Sequence, residues 1–131
     1  MKIILSILFI FIVSTSSLQA DNKIDLINLY KELHANPELS FKEEKTSKKL
    51  ANILKSLGLE VTENFGGYGV VALLKNGEGK TIMLRADMDG LPVEELTGAP
   101  YASRTKSFNQ VGDEVFTMHA CGHDIHMTCL I

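Results

Sequence analysis

The sequence predicts an α/β fold, a mixed sheet flanked by helices. Two stretches with helical apolar spacing come first, at Asp25–His34 and from Ser40 to Gly58. Short apolar or alternating stretches separated by glycine-rich turns follow, as in strands. The polar motifs fall just after such stretches, where open α/β sheets place their ligand chemistry.

The chain has 131 residues, which is one ordinary domain or a piece of a larger one. A net charge of -3 with 45% hydrophobic residues is globular material and not a disordered tail. Nucleic acid is not an expected partner: acids outnumber bases, lysines are scattered, and aromatic residues do not alternate with basic ones.

Residues 1–20 read as a secretory signal peptide. Met1-Lys2 is a short basic start, Ile3–Val13 is nearly all apolar, and the small Ala20 precedes the charged Asp21. The apolar run is shorter than the roughly 20 residues a membrane span needs. The expectation is export to the periplasm or the medium, with a mature chain covering 21–131 and no membrane association after cleavage.

Leu26, Leu29, Tyr30 and Leu33 form the apolar face of the first helix, and Asn36-Pro37 ends it. Ser40 and Glu43 match the capping-box pattern, so the second helix is expected to begin at Ser40. Leu50, Ile53, Leu54 and Leu57 face inward, and Gly58 is the stop. Leu59–Thr62 alternates like an exposed strand, Phe65–Gly69 is a turn, and Val70–Leu74 reads as a covered strand. Asn76-Gly77 turns the chain into Thr81–Arg85, expected to be the antiparallel partner of Val70–Leu74. Thr97–Ser107 reads as loop. Glu114–Thr117 reads as a short strand with a hairpin through Gly112-Asp113, and Met127–Ile131 as the start of a buried helix.

Two clusters carry chemistry. Asp87 and Asp89 flank Met88 just after Thr81–Arg85; they converge only if the chain turns, which Gly90 and Pro92 suggest. The glycine comes too early and later ligands are missing for a calcium-binding EF-hand loop. The second cluster, His119–His126, holds three of the four histidines with Cys121 and Asp124. Cys121 and His123 can face one ion if the chain turns at Gly122, and thiolate with imidazole is a ligand pair for zinc and its first-row neighbours. Asp124 could add an oxygen or hold an imidazole tautomer. Other readings are a disulfide with Cys129, which is otherwise expected to be a buried thiol, or Cys121 as a nucleophile activated by a histidine. His34 reads as structural.

Taken in order, LHANPELSF, GGYGVVALLKNG, RADMDGLPVEE and MHACGHDIHMT resemble the amidohydrolases of the aminoacylase and carboxypeptidase superfamily, the branch of hippurate hydrolase, N-acyl-amino-acid deacylases and auxin-conjugate hydrolases. The resemblance runs from about Ile24 to Ile131. It implies the N-terminal part of a di-metal catalytic domain, with a lid or dimerisation domain absent. It implies Cys121 and His123 as metal ligands and Asp89 as the acid that supports the metal centre; Asp87 matches a position that is histidine in other branches. It implies two divalent ions in the complete enzyme, zinc or manganese, cobalt or nickel, an N-acyl amino acid or small peptide as substrate, and a homodimer.

Family members add a Glu-Glu pair and two more histidines further on. Glu94-Glu95 precedes the Cys-Gly-His motif and does not take that place. Ser103–Thr117 is longer than the commonest family spacing. The 131 residues therefore look like an N-terminal fragment, expected to be inactive alone. The alternatives are a cysteine-nucleophile hydrolase and a non-catalytic exported metal-binding module.

Overall fold

The computed structural model describes residues 24–131; the expected signal peptide lies outside them. Helix α1 spans Leu26–Ala35. Asp25 caps it by accepting the backbone N–H of Asn28 at 3.1 Å, and Asn36 ends it ahead of Pro37. Leu29 and Leu33 face the core one turn apart.

Helix α2 spans Glu44–Ser56, so it starts four residues later than the capping-box pattern predicts. The Ser40 hydroxyl donates instead to the Asp89 carboxylate, and Glu43 makes no side-chain cap. Glu38 takes over: its carboxylate accepts the N–H of Lys45 at 3.2 Å and of Thr46 at 2.8 Å. A carboxylate at a helix N-terminus satisfies free donors and opposes the positive end of the dipole.

Strands β1 (Glu60–Phe65) and β2 (Gly69–Leu73) form an antiparallel hairpin paired Glu60 to Leu73 and Phe65 to Gly69, with an irregularity between Thr62 and Phe65. Helix α2 packs on this hairpin. The expected cover for Val70–Leu74 exists on one face only; Val71, Leu73 and Leu74 are exposed.

The expected strand Thr81–Arg85 is not formed. The segment has no regular structure, and Ile82, Met83 and Leu84 are 83%, 83% and 73% exposed. An apolar run of this kind needs a ladder partner and cover on both faces. Among the described residues, β2 pairs only with β1, and neither need is met.

The chain then threads tightly through residues 90 and 91. Gly90 bridges Leu39 in parallel, with its N–H on the Glu38 carbonyl at 2.7 Å, and Leu91 bridges Met118 through two hydrogen bonds of 2.8 and 3.0 Å. A Cβ on Gly90 would lie 2.8 Å from the Pro37 ring, 3.1 Å from Thr117 and 3.2 Å from the Met118 carbonyl.

Strands β3 (Lys106–Phe108) and β4 (Glu114–Phe116) form a second antiparallel hairpin. β3 begins inside the stretch expected to be loop, and its turn is held by Asn109 Oδ1, which accepts the N–H of Val111 and of Asp113. Helix α3 spans His123–Leu130 and packs on α1. Met127 is fully buried against Leu29, Leu33 and Leu50, with Ile53, Ala86 and Met88 around them. Cys129 is exposed, not buried: it lies roughly 200° around the helix from Met127. Both cysteines are free, so the disulfide alternative is not realised.

The result is an α/β arrangement, helices with small sheets, as the sequence predicts. Gly90→Ala is expected to destabilise the fold by about 1–3 kcal/mol, because ring and backbone atoms must give way to the added methyl. Equilibrium denaturant unfolding of both proteins measures this; a neutral substitution would mean the crossing is looser than described.

Candidate metal centre

Asp87 and Asp89 part company. Arg85 donates to Asp87 at 2.6 Å on the exposed side. Asp89 turns inward at the Gly90 crossing, where its carboxylate accepts from Ser40 and lies 3.1 Å from His123 Nδ1. The Asp89 carbonyl is closer still to that nitrogen, at 2.8 Å. A carbonyl oxygen can only accept, so Nδ1 carries the proton. In a neutral ring this leaves Nε2 as a lone pair, the state in which imidazole binds a metal.

His123 is the first residue of α3. The preceding Gly122 has φ +81°, a left-handed conformation that glycine adopts without strain, and this turn brings Cys121 up to the helix start. Cys121 is exposed with its thiol free. His126 follows one turn after His123, with ring centroids 6.0 Å apart. Among the described residues, no three His, Cys, Asp or Glu side chains gather into a set able to hold a metal.

Behind this surface lies a buried ionic cluster that sequence reasoning missed. His34, in the last turn of α1, meets Asp124 Oδ2 with Nδ1 at 2.7 Å and Glu95 Oε1 with Nε2 at 3.0 Å. Both carboxylates are 2% exposed. Glu95 also accepts the Thr97 hydroxyl and the Ser103 N–H, which leaves it committed to the interior. The sequence offered only a partial signal, a histidine one place after Leu33 toward the buried side of an amphipathic helix; the two acids it meets lie far away in the chain.

Burial alone would lower the His34 pKa, but the two carboxylates outweigh it and raise it. Burial would raise the Glu95 carboxyl; the Thr97 hydroxyl, His34 and the Ser103 amide outweigh it and hold it low. The rings of Tyr30 and Tyr101 pack on His34, with centroids 5.7 and 5.4 Å away. Burial first, then Tyr101 and the nearby carboxylates, push the Tyr30 phenol up to about 12. His119 is buried with neither ring nitrogen bonded, beside the unpartnered Thr117 hydroxyl, and burial holds its pKa down.

Asp89, Cys121 and His123 thus lie at or near the start of α3 on an α/β scaffold; carboxylate, thiol and imidazole are donor types that metal-dependent hydrolases use, although among the described residues they form no complete ligand set. Residues 83–131 match the profile of Peptidase family M20/M25/M40. Over 108 residues the chain is 44% identical to thermostable carboxypeptidase 2 of Saccharolobus solfataricus, covering 81% of this chain and 25% of that protein. It is 48% identical over 101 residues to hippurate hydrolase of Campylobacter jejuni, covering 76% and 24%. The fold is similar, with a TM-score of 0.66 and 39% identity, to a crystal structure of a Bacillus subtilis protein described as a dinuclear metal binding peptidase from the M20 family, over 79% of this chain and 27% of that one. Residues 83–131, the segment that carries the candidate site, thus resemble peptidase family M20/M25/M40, a family of hydrolases. It spans about a quarter of the length of the curated relatives it matches.

The raised His34 pKa fixes the sign of a pH effect. A histidine whose folded pKa is raised adds stability that is fully present below its unfolded value of 6.5 and is lost as pH climbs through the folded value. Glu95, held low, adds stability present above its unfolded value of 4.5 and lost as pH falls through the folded one. The unfolding free energy of the wild type is therefore expected to exceed that of His34→Gln most between pH 4.5 and 6.5, with the gap narrowing at higher pH. Urea unfolding in metal-free buffer across this range reads the gap; one that widens with rising pH would contradict a protonated His34.

Proposed function

We propose that this chain is part of a metal-dependent amidohydrolase that cleaves the amide bond of N-acyl amino acids or small peptides. The observation that carries the reading is the committed Nδ1 of His123, which leaves Nε2 available, with the free thiol of Cys121 two residues before it in the chain. Thiolate and imidazole suit zinc, and manganese, cobalt or nickel also fit a site that includes carboxylates. The donor types fit divalent ions of this kind, with Cys121 and His123 as ligands, and two ions are proposed by resemblance to the dinuclear relative. Asp89 holds the His123 ring by its proton and is the supporting acid.

When bound, the metals supply Lewis acidity toward a water and toward the substrate carbonyl. The chain's own residues orient and shape. A cleft of about 320 Å³ opens beside Ser40, between Leu39, Leu91 and Pro92 on one side and Asn109, Gln110 and Val111 of the β3–β4 turn on the other. Apolar walls with two amides suit the uncharged part of an N-acyl amino acid. Glu95 is too deeply committed to serve as general base.

A catalytic zinc takes three protein ligands and a water, and the described residues gather no such set. We therefore expect the 131 residues alone to hold metal weakly and to turn over no substrate; amidase activity from that chain alone would overturn this. Export rests on residues 1–20, and a mature N-terminus near Asp21, read by mass spectrometry, checks it. A homodimer is proposed by resemblance alone, and sedimentation of the full-length protein decides it.

In the full-length protein, Cys121→Ser is expected to lower bound metal and kcat/KM together, the latter by roughly a hundredfold. Chelation should abolish hydrolysis of N-acyl amino acids and added metal restore it. Wild-type metal content with lost activity in Cys121→Ser, or activity that survives chelation, would favour a thiolate nucleophile.

A further inference from the structure

His34 lies outside the proposed ligand pair, yet it touches both segments that build that pair's surroundings. Asp124, on its Nδ1, directly follows His123 in α3. Glu95, on its Nε2, follows Asp89 along the segment that leaves the Gly90 crossing. We propose that His34 is a positioning residue for the metal centre: by holding Asp124 and Glu95 on its two ring nitrogens, it fixes the first turn of α3 against the Asp89 segment and sets where His123 presents Nε2. This rests on the proposal that Cys121 and His123 bind metal.

Apart from the His123 bond to Asp89, the first turn of α3 makes few polar ties outside the helix. Gly122 offers no side-chain cap. Asp124 supplies the local bonds, accepting the Ile125 N–H at 2.9 Å with Oδ1 and the Thr128 hydroxyl at 2.7 Å with its carbonyl. Those bonds lie within the helix and do not anchor it to anything else. Beyond the His123 bond to Asp89 and the burial of Met127 further along the helix, the anchor of this turn to the rest of the molecule is Oδ2 on His34. On the other side, Glu95 is fixed to Ser103 by the backbone N–H and to His34 by the ring.

Without the imidazole, two buried carboxylates would border one uncompensated space. One must then take up a proton or move, since an unpaired buried charge is strongly unfavourable. Either change loosens α3 from the segment that carries Asp89. The 2.8 Å bond between His123 Nδ1 and the Asp89 carbonyl spans that joint. Glutamine at position 34 fills similar space but offers one donor end and one acceptor end. It can serve one carboxylate and turns an oxygen toward the other.

The test is Co²⁺ titration of the metal-stripped full-length protein, read by the ligand-field absorption spectrum, well below each variant's melting temperature. Lys75→Ala, which breaks an exposed pair with Glu60, is the control. His34→Gln is expected to bind Co²⁺ roughly tenfold more weakly with an altered spectrum, at the low end of the usual cost of losing an outer partner of a ligand. Glu95→Gln should shift both in the same direction by less. A purely structural role would lower the melting temperature and leave affinity and spectrum unchanged.

A folded His34→Gln with wild-type affinity and spectrum overturns the positioning role and leaves the metal reading standing. A wild-type protein that takes up no Co²⁺ overturns both. Should His34→Gln fail to fold, Glu95→Gln decides alone: weaker binding with a changed spectrum supports the role, and unchanged values overturn it.

Discussion

The arrangement depends on one imidazole buried between two carboxylates. Removing an ion from water costs several kcal/mol, so three ionisable groups in the interior hold only if each finds partners. A neutral imidazole has one N–H and could donate to one carboxylate only. His34 faces an acid at both nitrogens, and the raised pKa agrees with a ring protonated at both. The surplus negative charge is met by the Ser103 amide, the Thr97 hydroxyl and the Ile125 amide. Helix α1, the 89–95 segment and helix α3 therefore converge on one point.

A second constraint meets the first. The run His34 to Ser40 acts as one connector, and three of its members, Pro37, Glu38 and Leu39, meet Gly90. Asn36 ends α1, and Pro37 is fully buried where a Cβ on Gly90 would collide with it. The Glu38 carbonyl receives the Gly90 N–H while its carboxylate caps α2. Leu39 bridges Gly90, and Ser40 reaches Asp89. This connector thus ties two helices to the segment that carries the candidate acid.

This explains which parts of the fold were legible in the sequence. Helix α1, the two strands and turn of the β1–β2 hairpin though not their pairing, and the turn at Gly122 rest on local signals, namely apolar spacing, a glycine-rich turn and a backbone angle that glycine tolerates. The start of α2 was not legible, because Ser40 had two possible partners and the distant Asp89 prevailed over the local N–H groups. The Thr81–Arg85 strand was inferred from apolar content, and apolar content demands a partner without supplying one. Cys129 was misplaced by reading composition instead of helical phase. At the site, Cys121, His123 and Asp89 stood out by residue type, whereas the clamp at His34 depends on acids 61 and 90 positions away and has no local pattern.

The two buried histidines complete the electrostatic account. His34 is drawn toward the charged state by acids, while burial keeps His119 neutral with no bonded partner. Two imidazoles close to the same helix start are thus shifted in opposite directions, a separation that environment alone can impose. The consequence for a cation at Cys121 and His123 is favourable. His119 adds no positive charge, and that of His34 is more than matched by Glu95 and Asp124. Asp89 and Asp124 also oppose the positive end of α3. The fold therefore presents its two soft donors in surroundings that do not repel a divalent ion, although a helix N-terminus by itself would favour an anion.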